Sequence, residues 1–202
     1  MTADTDSRLT AQMRFLNEAD RLKSVIRGTT LCDGSRYENS GEHSWHIALY
    51  ALTLAEHAPA DVDIARVIQM LLLHDIVEID AGDAPIFGDH DPAEMAAAED
   101  AAATRIFGLL PPDQAARFRA LWDEFEAAET ADARFAKSLD RFQPPNQNLA
   151  SGGGSWVDYN TRWDQFETRV ASKIARGAPS LWAWLKPRAA AWFRANRQTD
   201  TT

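Results

Sequence analysis

The sequence contains a single cysteine, Cys32, and it has no apolar run long enough to span a bilayer. One cysteine excludes an intrachain disulfide framework and suits a reducing compartment. The opening residues, MTADTDSRLT, lack the basic and apolar segments of a secretion signal. We therefore expect a cytoplasmic protein without a membrane segment. Two interpretations of Cys32 stay open, a loop or packing thiol and a nucleophile.

Positive charge is scarce, since 21 Lys and Arg residues face 30 Asp and Glu residues and give a net charge of −9. A surface of this sign repels nucleic acid polymers and anionic membranes. An anionic substrate must therefore be held by local positive charge or by a metal ion. The 202 residues and the apolar fraction of 45% predict a single domain over residues 1–202, with a sizeable core and with frayed ends at 1–7 and 197–202.

The sequence shows no internal repeat and no alternation typical of strands, so we predict an all-α domain. Apolar residues at helical spacing predict helices over residues 7–26, 40–57, 62–79, 92–107, 111–128, 130–142, 159–176 and 179–196. Turn-forming residues predict loops over residues 28–41, 80–91 and 146–155. The helix from residue 130 is predicted to end before Pro144-Pro145, because a proline disfavours the helical conformation in the residue that precedes it.

The segment Leu71–Asp83, LLLHDIVEIDAGD, places polar side chains in a helix that is apolar on nearly all sides. A helix of this kind is buried in a folded protein. An imidazole and carboxylates are costly to bury without partners, and a metal ion is the simplest partner for them. His74 and Glu78 are four residues apart, so they share one face, and Asp75 lies beside them.

Four further side chains are candidates for completing such a site. His43, in the first turn of the second helix, can offer a nitrogen lone pair to a metal. His46 is either a second ligand or a residue that orients His43 from behind. His90, in the acidic loop, is either solvated or part of a lid. Asp140 is either a ligand or a solvated acid paired with Lys137, and the spacing favours neither interpretation.

His43, the pair His74-Asp75 and the distant Asp140 stand in order among short motifs. These motifs are Arg36-Tyr37-Glu38-Asn39, Glu42-His43-Ser44, His74-Asp75-Ile76-Val77-Glu78 and Gly82-Asp83-Ala84-Pro85. The pattern resembles the HD-domain metal-dependent phosphohydrolases, and within them the subgroup that includes the 5′-deoxynucleotidases. The resemblance covers about residues 10–180 and implies an HD-domain helical bundle around a buried metal site.

The resemblance implies one divalent metal ion with four ligands, His43, His74, Asp75 and Asp140. Mn, Co, Mg, Zn, Ni and Fe all suit a mixed set of nitrogen and oxygen ligands, so the sequence does not select among them. Dinuclear members of the family carry extra histidines between the His-Asp pair and the final Asp. Only His90 lies in that interval, so one metal is the better interpretation.

The resemblance also implies roles around the metal. A metal-activated water would be the nucleophile, with Glu78 as general acid and base or as the residue that holds this water. Asp83 would position the water or a substrate hydroxyl. Arg27 corresponds to an arginine that binds the substrate phosphate, which it can do through two parallel hydrogen bonds. The alternative for Arg27 is a surface charge at a helix end.

Three features lie outside this pattern. The deoxynucleotidases have a tryptophan, implicated in reading the sugar, where this chain has Gly28, and Tyr37 or Trp156 could substitute for it. The Gly152–Gly154 segment lacks the strand and the Lys-Ser/Thr ending of a phosphate-binding loop, so we interpret it as a flexible connection. The C-terminal tryptophans are either core residues or a dimer interface, to be distinguished by the exposure of Trp182, Trp184 and Trp192.

We therefore predict a metal-dependent phosphohydrolase, and most specifically a phosphomonoesterase for nucleoside 5′-monophosphates or similar small phosphates. A phosphodiesterase or pyrophosphohydrolase is the alternative within the superfamily. A non-catalytic regulator that binds a metal or a nucleotide is the alternative of another class. Glu78 and Asp83 argue against the regulator, because a structural metal site would not need them. The expected partners are a small phosphate or nucleotide and, by resemblance, a second copy of the chain.

Overall fold

The computed structural model describes residues 3–88 and 90–196. Eleven α-helical segments are present in these residues: α1 (Ala3–Ala19), α2 (Ser40–Thr53), α3 (Ile64–Leu73), α4 (Glu78–Ala81), α5 (Pro92–Phe107), α6 (Pro112–Ala127), α7 (Ala131–Ala150), α8 (Ser155–Asp158), α9 (Trp163–Phe166), α10 (Ser172–Gly177) and α11 (Pro179–Ala195). Tighter 3₁₀ turns cover Asp20–Ser24, Ala55–His57 and His74–Val77, and a π-helical turn covers Glu167–Ala171. The prediction of an all-α fold is confirmed.

The longest helix, α7, lies at the centre of the bundle and packs against α2, α3, α6, α10 and α11. Its apolar stripe includes Phe135 and Leu139, both fully buried. Ala133 and Ala136 are also fully buried, and their small side chains allow neighbouring helices to come close. This central position carries Asp140 into the middle of the molecule, so its interpretation as a solvated acid is excluded.

The predicted end of this helix before the two prolines is wrong, because α7 continues through Pro144 and Pro145 to Ala150. A proline inside a helix removes the amide hydrogen that would bond to the carbonyl four residues earlier. Here the lost bonds are those to the carbonyls of Asp140 and Arg141. Tertiary contacts hold the second half of the helix, since Asn146 donates to the Tyr50 hydroxyl at 2.8 Å and Gln147 donates to Glu38 at 3.0 Å.

The predicted loop over residues 28–41 contains a small hairpin instead. Strands β1 (Ile26–Thr30) and β2 (Tyr37–Asn39) pair antiparallel, with Ile26 opposite Asn39 and Thr30 opposite Tyr37. Cys32 lies exposed in the turn between them, which supports its interpretation as a loop thiol. The hairpin leads directly into α2, whose first turn is capped because Asn39 and Glu42 each accept a hydrogen bond from the backbone of the other.

The C-terminal third is more broken than the two predicted helices, since four helical segments and the π-helical turn cover it. The Gly152–Gly154 segment is a packed turn rather than a free connection. All three glycines have positive φ, and a Cβ at Gly153 would lie 2.5 Å from Trp192. Asn148 fastens the turn by accepting a hydrogen bond from the Ser155 amide at 3.1 Å.

The tryptophan cluster belongs mainly to the core. Trp182 and Trp192 are half-buried against Phe166 and Trp156, whereas Trp184 is 43% exposed with the Arg188 guanidinium 4.1 Å from its ring. Among the described residues, no helix is both long and apolar enough to traverse a lipid bilayer. The predicted frayed end at 197–202 lies outside the described residues. At the other end, where residues 1–7 are predicted to fray, the backbone of residues 3–7 is helical.

Candidate metal centre

The predicted long helix over residues 62–79 is interrupted at His74. The α-helix ends at Leu73, and His74–Val77 forms a 3₁₀ turn. Residues three apart eclipse one another in a 3₁₀ turn, which brings Asp75 and Glu78 to the same side. The turn is held from outside, because Trp122 donates its indole N–H to the His74 carbonyl at 3.2 Å.

The structure brings all four predicted ligands to one point. His43 Nε2 lies 3.3 Å from Asp140 Oδ1 and 3.9 Å from Asp75 Oδ2. His74 Nε2 lies 2.8 Å from Asp75 Oδ1 and 3.9 Å from Asp140 Oδ1. Donor atoms of His43, His74 and Asp75 fall within 4.8 Å of one another, and all four side chains are buried. We call these four residues the donor cluster.

The hydrogen bonds behind the two histidines orient their lone pairs toward the cluster. His74 Nδ1 lies 2.8 Å from the Leu71 carbonyl, which can only accept, so Nδ1 carries the proton. His43 Nδ1 likewise faces acceptors, Glu38 Oε1 at 3.3 Å and Gln143 Oε1 at 3.2 Å. In the neutral imidazoles both Nε2 atoms therefore present a lone pair to carboxylate oxygens.

The donor atoms in this arrangement suit a cation. His74 Nε2 is buried and makes no hydrogen bond of acceptable geometry despite its proximity to Asp75. Burial lowers the pKa of His43 and so does Arg27, but hydrogen bonds to Asp140 and Glu38 outweigh both and raise it to about 9. A divalent metal ion would replace such a proton, as metal binding to histidine generally does. The two imidazoles and two carboxylates thus fit one divalent ion.

Glu78 and Asp83 lie beside the donor cluster in an environment that favours their protonated forms. Burial and the neighbouring Asp75 carboxylate raise the pKa of Glu78 to about 9, and burial raises the pKa of Asp83. Ser40 Oγ donates to Glu78 Oε2 at 2.5 Å, and the Gly28 amide donates to Asp83 Oδ2 at 3.3 Å. Asp75 differs, because His74 and Arg27 outweigh its burial and hold its pKa below the usual range.

Arg27 is surrounded by carboxylates. Its Nη1 lies 2.8 Å from Asp75, 3.4 Å from Asp83 and 3.5 Å from Glu78, and its Nε lies 3.3 Å from Glu38. The side chain is 10% exposed, so the interpretation as a surface charge is excluded. Arg27 offsets part of the negative charge of these four carboxylates.

A cavity of about 500 Å³ opens onto the donor cluster. His74, Asp75, Asp140, Arg27, Glu78 and Asp83 line one part of it. Apolar and aromatic side chains cover part of its walls, including Ile86, Phe87, Met95, Trp156 and Tyr159. Three cations from α7 and α10, Lys137, Arg141 and Lys173, line another part. The size and the mixed lining are typical of sites for small molecules.

Comparison with known proteins identifies the family. The HD domain model matches residues 19–182. The chain belongs to the HD domain family. A solved structure from Magnetospirillum magnetotacticum, described as a predicted metal-dependent phosphohydrolase, is 48% identical, covers 93% of this chain and 96% of its own, and superposes with a TM-score of 0.88.

Curated relatives carry a more specific name. The 5′-deoxynucleotidase HDDC2 of Bos taurus is 30% identical over 131 residues, and that of Homo sapiens is 28% identical over 130 residues. In both cases the match covers 64% of this chain and spans 62% of the length of the relative. The prediction of an HD-domain hydrolase with a divalent metal ion is confirmed at the level of the family.

Sequence reasoning missed the polar layer that supports the HD donor cluster. Glu38 is buried, contacts His43 and Arg27, and accepts hydrogen bonds at 3.0 Å from the side-chain amides of Gln143 and Gln147. The motif Arg36-Tyr37-Glu38-Asn39 could have indicated a role for Glu38 in the site. Its partners Gln143 and Gln147 are too distant in sequence to be inferred from that motif. His46 belongs to the same layer, since its Nδ1 lies 3.3 Å from Gln143 Nε2.

The space beside Gly28, where the deoxynucleotidases have a tryptophan, is occupied by a residue that the sequence did not indicate. A Cβ at Gly28 would lie 2.9 Å from the Tyr159 hydroxyl and 3.4 Å from Pro85. Tyr159 therefore occupies the space next to Arg27. Trp156 also lines the cavity but is 1% exposed, and Tyr37 borders only a smaller adjacent pocket. His90, the other open candidate, is exposed and lines the cavity.

Proposed function

We propose that this HD protein hydrolyses the phosphomonoester bond of nucleoside 5′-monophosphates or of similar small phosphates. The observation that carries the proposal is the donor cluster, three of whose four residues line a cavity large enough for such a ligand. The name of the curated relatives supports a nucleotide as substrate. The apolar and aromatic walls would contact the nucleoside, and the charged end would receive the phosphate.

We assign the four residues of the donor cluster, His43, His74, Asp75 and Asp140, as the ligands of one divalent ion among Mn, Co, Mg, Zn, Ni and Fe. When bound at such a site, a divalent ion polarises a phosphoryl oxygen and lowers the pKa of water. The tautomers set by Leu71 and Glu38 keep both Nε2 lone pairs available for binding.

The neighbouring acids would handle the protons of the reaction. Glu78, whose pKa in the metal-free protein is raised to about 9, would act as the general acid and deliver a proton to the leaving alkoxide. Asp83 would orient the attacking water or a substrate hydroxyl. Arg27 would keep these acids in place through Nη1 and contact the phosphate with the remaining Nη2.

A panel of nucleoside monophosphates, assayed with Mn²⁺ or Co²⁺, tests this function. We expect phosphate release from at least one member and its loss in Asp75→Ala, whereas Asp61→Ala, a change of an exposed acid outside the cavity, should leave it intact. The absence of phosphate release with metal demonstrably bound would rule the function out. Cleavage confined to diesters or pyrophosphates would establish the superfamily alternative, and tight nucleotide binding without turnover would establish a regulator.

We further propose that the chain forms a homodimer through α2. Trp45, Leu49 and Leu52 lie on one face of this helix and are 61%, 43% and 60% exposed. Exposed aromatic and aliphatic residues in a continuous stripe are typical of protein interfaces. Light scattering should show a dimer for the unmodified protein and a monomer for Leu49→Lys, with Leu16→Lys on α1 as the control. An unmodified protein that is monomeric at micromolar concentration would refute this proposal.

A further inference from the structure

Besides Arg27, four cations line the cavity. One of them, Arg169, donates to the Ile86 carbonyl at 2.8 Å, and the other three lie on α7 and α10. Lys137 and Arg141 lie one turn apart on α7, the helix that carries Asp140. Lys173 lies on α10, which packs against α7. All three line the cavity next to the donor cluster. In a chain with a net charge of −9, three converging cations require an explanation.

The three cations differ in how far the protein neutralises them. Lys137 is paired, since its ammonium lies 2.8 Å from Glu126 and 4.0 Å from the centre of the Phe125 ring. Arg141 is only partly paired, because its nearest carboxylate oxygen, on Asp140, lies 3.6 Å from its Nε, and this buried Nε makes no hydrogen bond. We find no ion-pair partner for the Lys173 ammonium within residues 3–88 and 90–196.

The mutual repulsion of these cations is also visible in the protonation equilibrium of Lys173. Burial lowers its pKa, and the positive charges of Arg141 and Lys137 lower it further, while the carboxylates of Asp140 and Glu126 offset only part of this effect. A negative charge placed among them would reverse this effect, because an opposite charge favours the protonated amine. Arg27 offers no comparable surplus, because four carboxylates surround it.

The position of Arg141 relates this surplus to the reacting centre. Its Nε is next to Asp140 Oδ2, while Oδ1 of the same carboxylate contacts His43 Nε2 at 3.3 Å. An anion that touches the donor cluster would therefore be within reach of the guanidinium. We propose that Arg141 and Lys173 form an anion subsite that binds the phosphate dianion of the substrate. Arg141 contacts the donor cluster at Asp140, whereas Arg27 contacts it at Asp75. This inference rests on the proposed phosphomonoesterase function.

The subsite has a consequence for the class of substrate. A phosphomonoester carries close to two negative charges near pH 7, whereas a phosphodiester carries one. Two cations bind the dianion more tightly than the monoanion, because the electrostatic attraction scales with the charge. The subsite would therefore favour monoesters over diesters before any chemistry takes place.

The experiment compares Lys173→Met with two matched variants. Lys173→Arg keeps the charge, and Lys186→Met removes a lysine from the surface of α11, outside the cavity. The first readout is calorimetric binding of inorganic phosphate to protein loaded with Co²⁺, whose visible spectrum reports that the metal is retained. The second is KM and kcat for p-nitrophenyl phosphate and for its diester, with thermal unfolding as the test of folding.

We expect Lys173→Met to weaken phosphate binding and to raise KM for the monoester about tenfold, with a smaller rise in KM for the singly charged diester and with kcat nearly unchanged. Lys173→Arg should restore both values, and Lys186→Met should leave them unaltered. Monoester hydrolysis with unaltered phosphate binding in Lys173→Met would overturn the subsite while the proposed function stands. Phosphate binding that depends on Lys173, without hydrolysis of any ester, would support the anion subsite and refute the proposed hydrolytic function.

Discussion

Two buried glutamates contact Arg27, and their environments shift their pKa values in opposite directions. Burial raises the pKa of Glu38, but His43 and Arg27 outweigh it and bring the pKa below its ordinary value. Burial and Asp75 raise the pKa of Glu78 to about 9. We predict that Glu78→Gln stabilises the metal-free protein at pH 8, whereas Glu38→Gln destabilises it.

The sign follows from proton linkage. Folded protein retains a proton on Glu78 that unfolded protein releases above the ordinary pKa of 4.5, so the free energy of unfolding falls as the pH rises between 4.5 and 9. The full shift corresponds to an upper limit of about 5 kcal/mol at pH 8. Water in the cavity and relaxation of the side chain reduce this limit, so we expect a gain of about 1–3 kcal/mol for Glu78→Gln.

Glu38 behaves in the opposite way because its ionised form is stabilised by folding. Its contribution is present above pH 4.5 and is lost as the pH falls through its lowered folded-state pKa. Glutamine at this position removes the negative charge and places an amide next to the donor groups of Gln143 and Gln147. We expect Glu38→Gln to lower the free energy of unfolding by about 2–4 kcal/mol at pH 8.

Urea unfolding of both variants in EDTA, at pH 5 and pH 8, measures these effects. The stability gain of Glu78→Gln should shrink toward pH 5, while its hydrolytic activity with metal should be lost at both pH values. A Glu78→Gln variant less stable than the unmodified protein at pH 8, or a gain independent of pH, would refute the assignment of a protonated Glu78. Equal changes in the free energy of unfolding for the two substitutions would refute the claim that the pKa values of Glu38 and Glu78 are shifted in opposite directions.

Three further predictions concern packing, substrate contact and metal. Gly177→Ala should cost about 3 kcal/mol in urea unfolding, because its Cβ would lie 2.2 Å from the Arg134 carbonyl, whereas Gly152→Ala, in open space at φ +81°, should cost only about 1 kcal/mol. Tyr159→Ala should raise KM for a nucleoside monophosphate about tenfold while kcat changes little; an unchanged KM would exclude Tyr159 as a wall of the nucleoside site. Removal of the metal should lower the free energy of unfolding by about 2.7 kcal/mol relative to protein at a metal concentration 100 times Kd, and His74→Ala should abolish this difference in calorimetry.

Much of the donor cluster was predictable because the residues on either side of His74, Asp75 and His43 indicate their positions. His74 and Asp75 are polar residues between apolar neighbours, and no apolar environment could satisfy them. His43 follows a capping box that fixes the start of its helix. Asp140 was ambiguous from spacing, and only the resemblance favoured it, because its burial depends on where α7 lies in the bundle.

Other elements could not be predicted because residues distant in sequence decide them. The continuation of α7 through Pro144 and Pro145 opposes local preference, and it is supported by side chains that reach Glu38 and Tyr50 from the second half of the helix. The break at His74 likewise depends on Trp122, 48 residues later in the chain. Local propensity predicted a helix end at the prolines and an unbroken helix at His74. Both predictions were wrong because tertiary hydrogen bonds outweigh backbone propensity.

By itself the sequence determined the helical fold class and the motifs by which the chain resembles the HD phosphohydrolases, because helix periodicity and short motifs depend on neighbouring residues. That resemblance implied His43, His74, Asp75 and Asp140 as ligands of one metal ion. Only the tertiary structure decided how these groups are charged and what surrounds them. Glu38 meets Gln143 across 105 residues, Tyr159 fills the space left by Gly28, and Lys173 joins Arg141 from another helix. Burial and the distances between charges set protonation and ligand binding, and both quantities exist only in the folded chain.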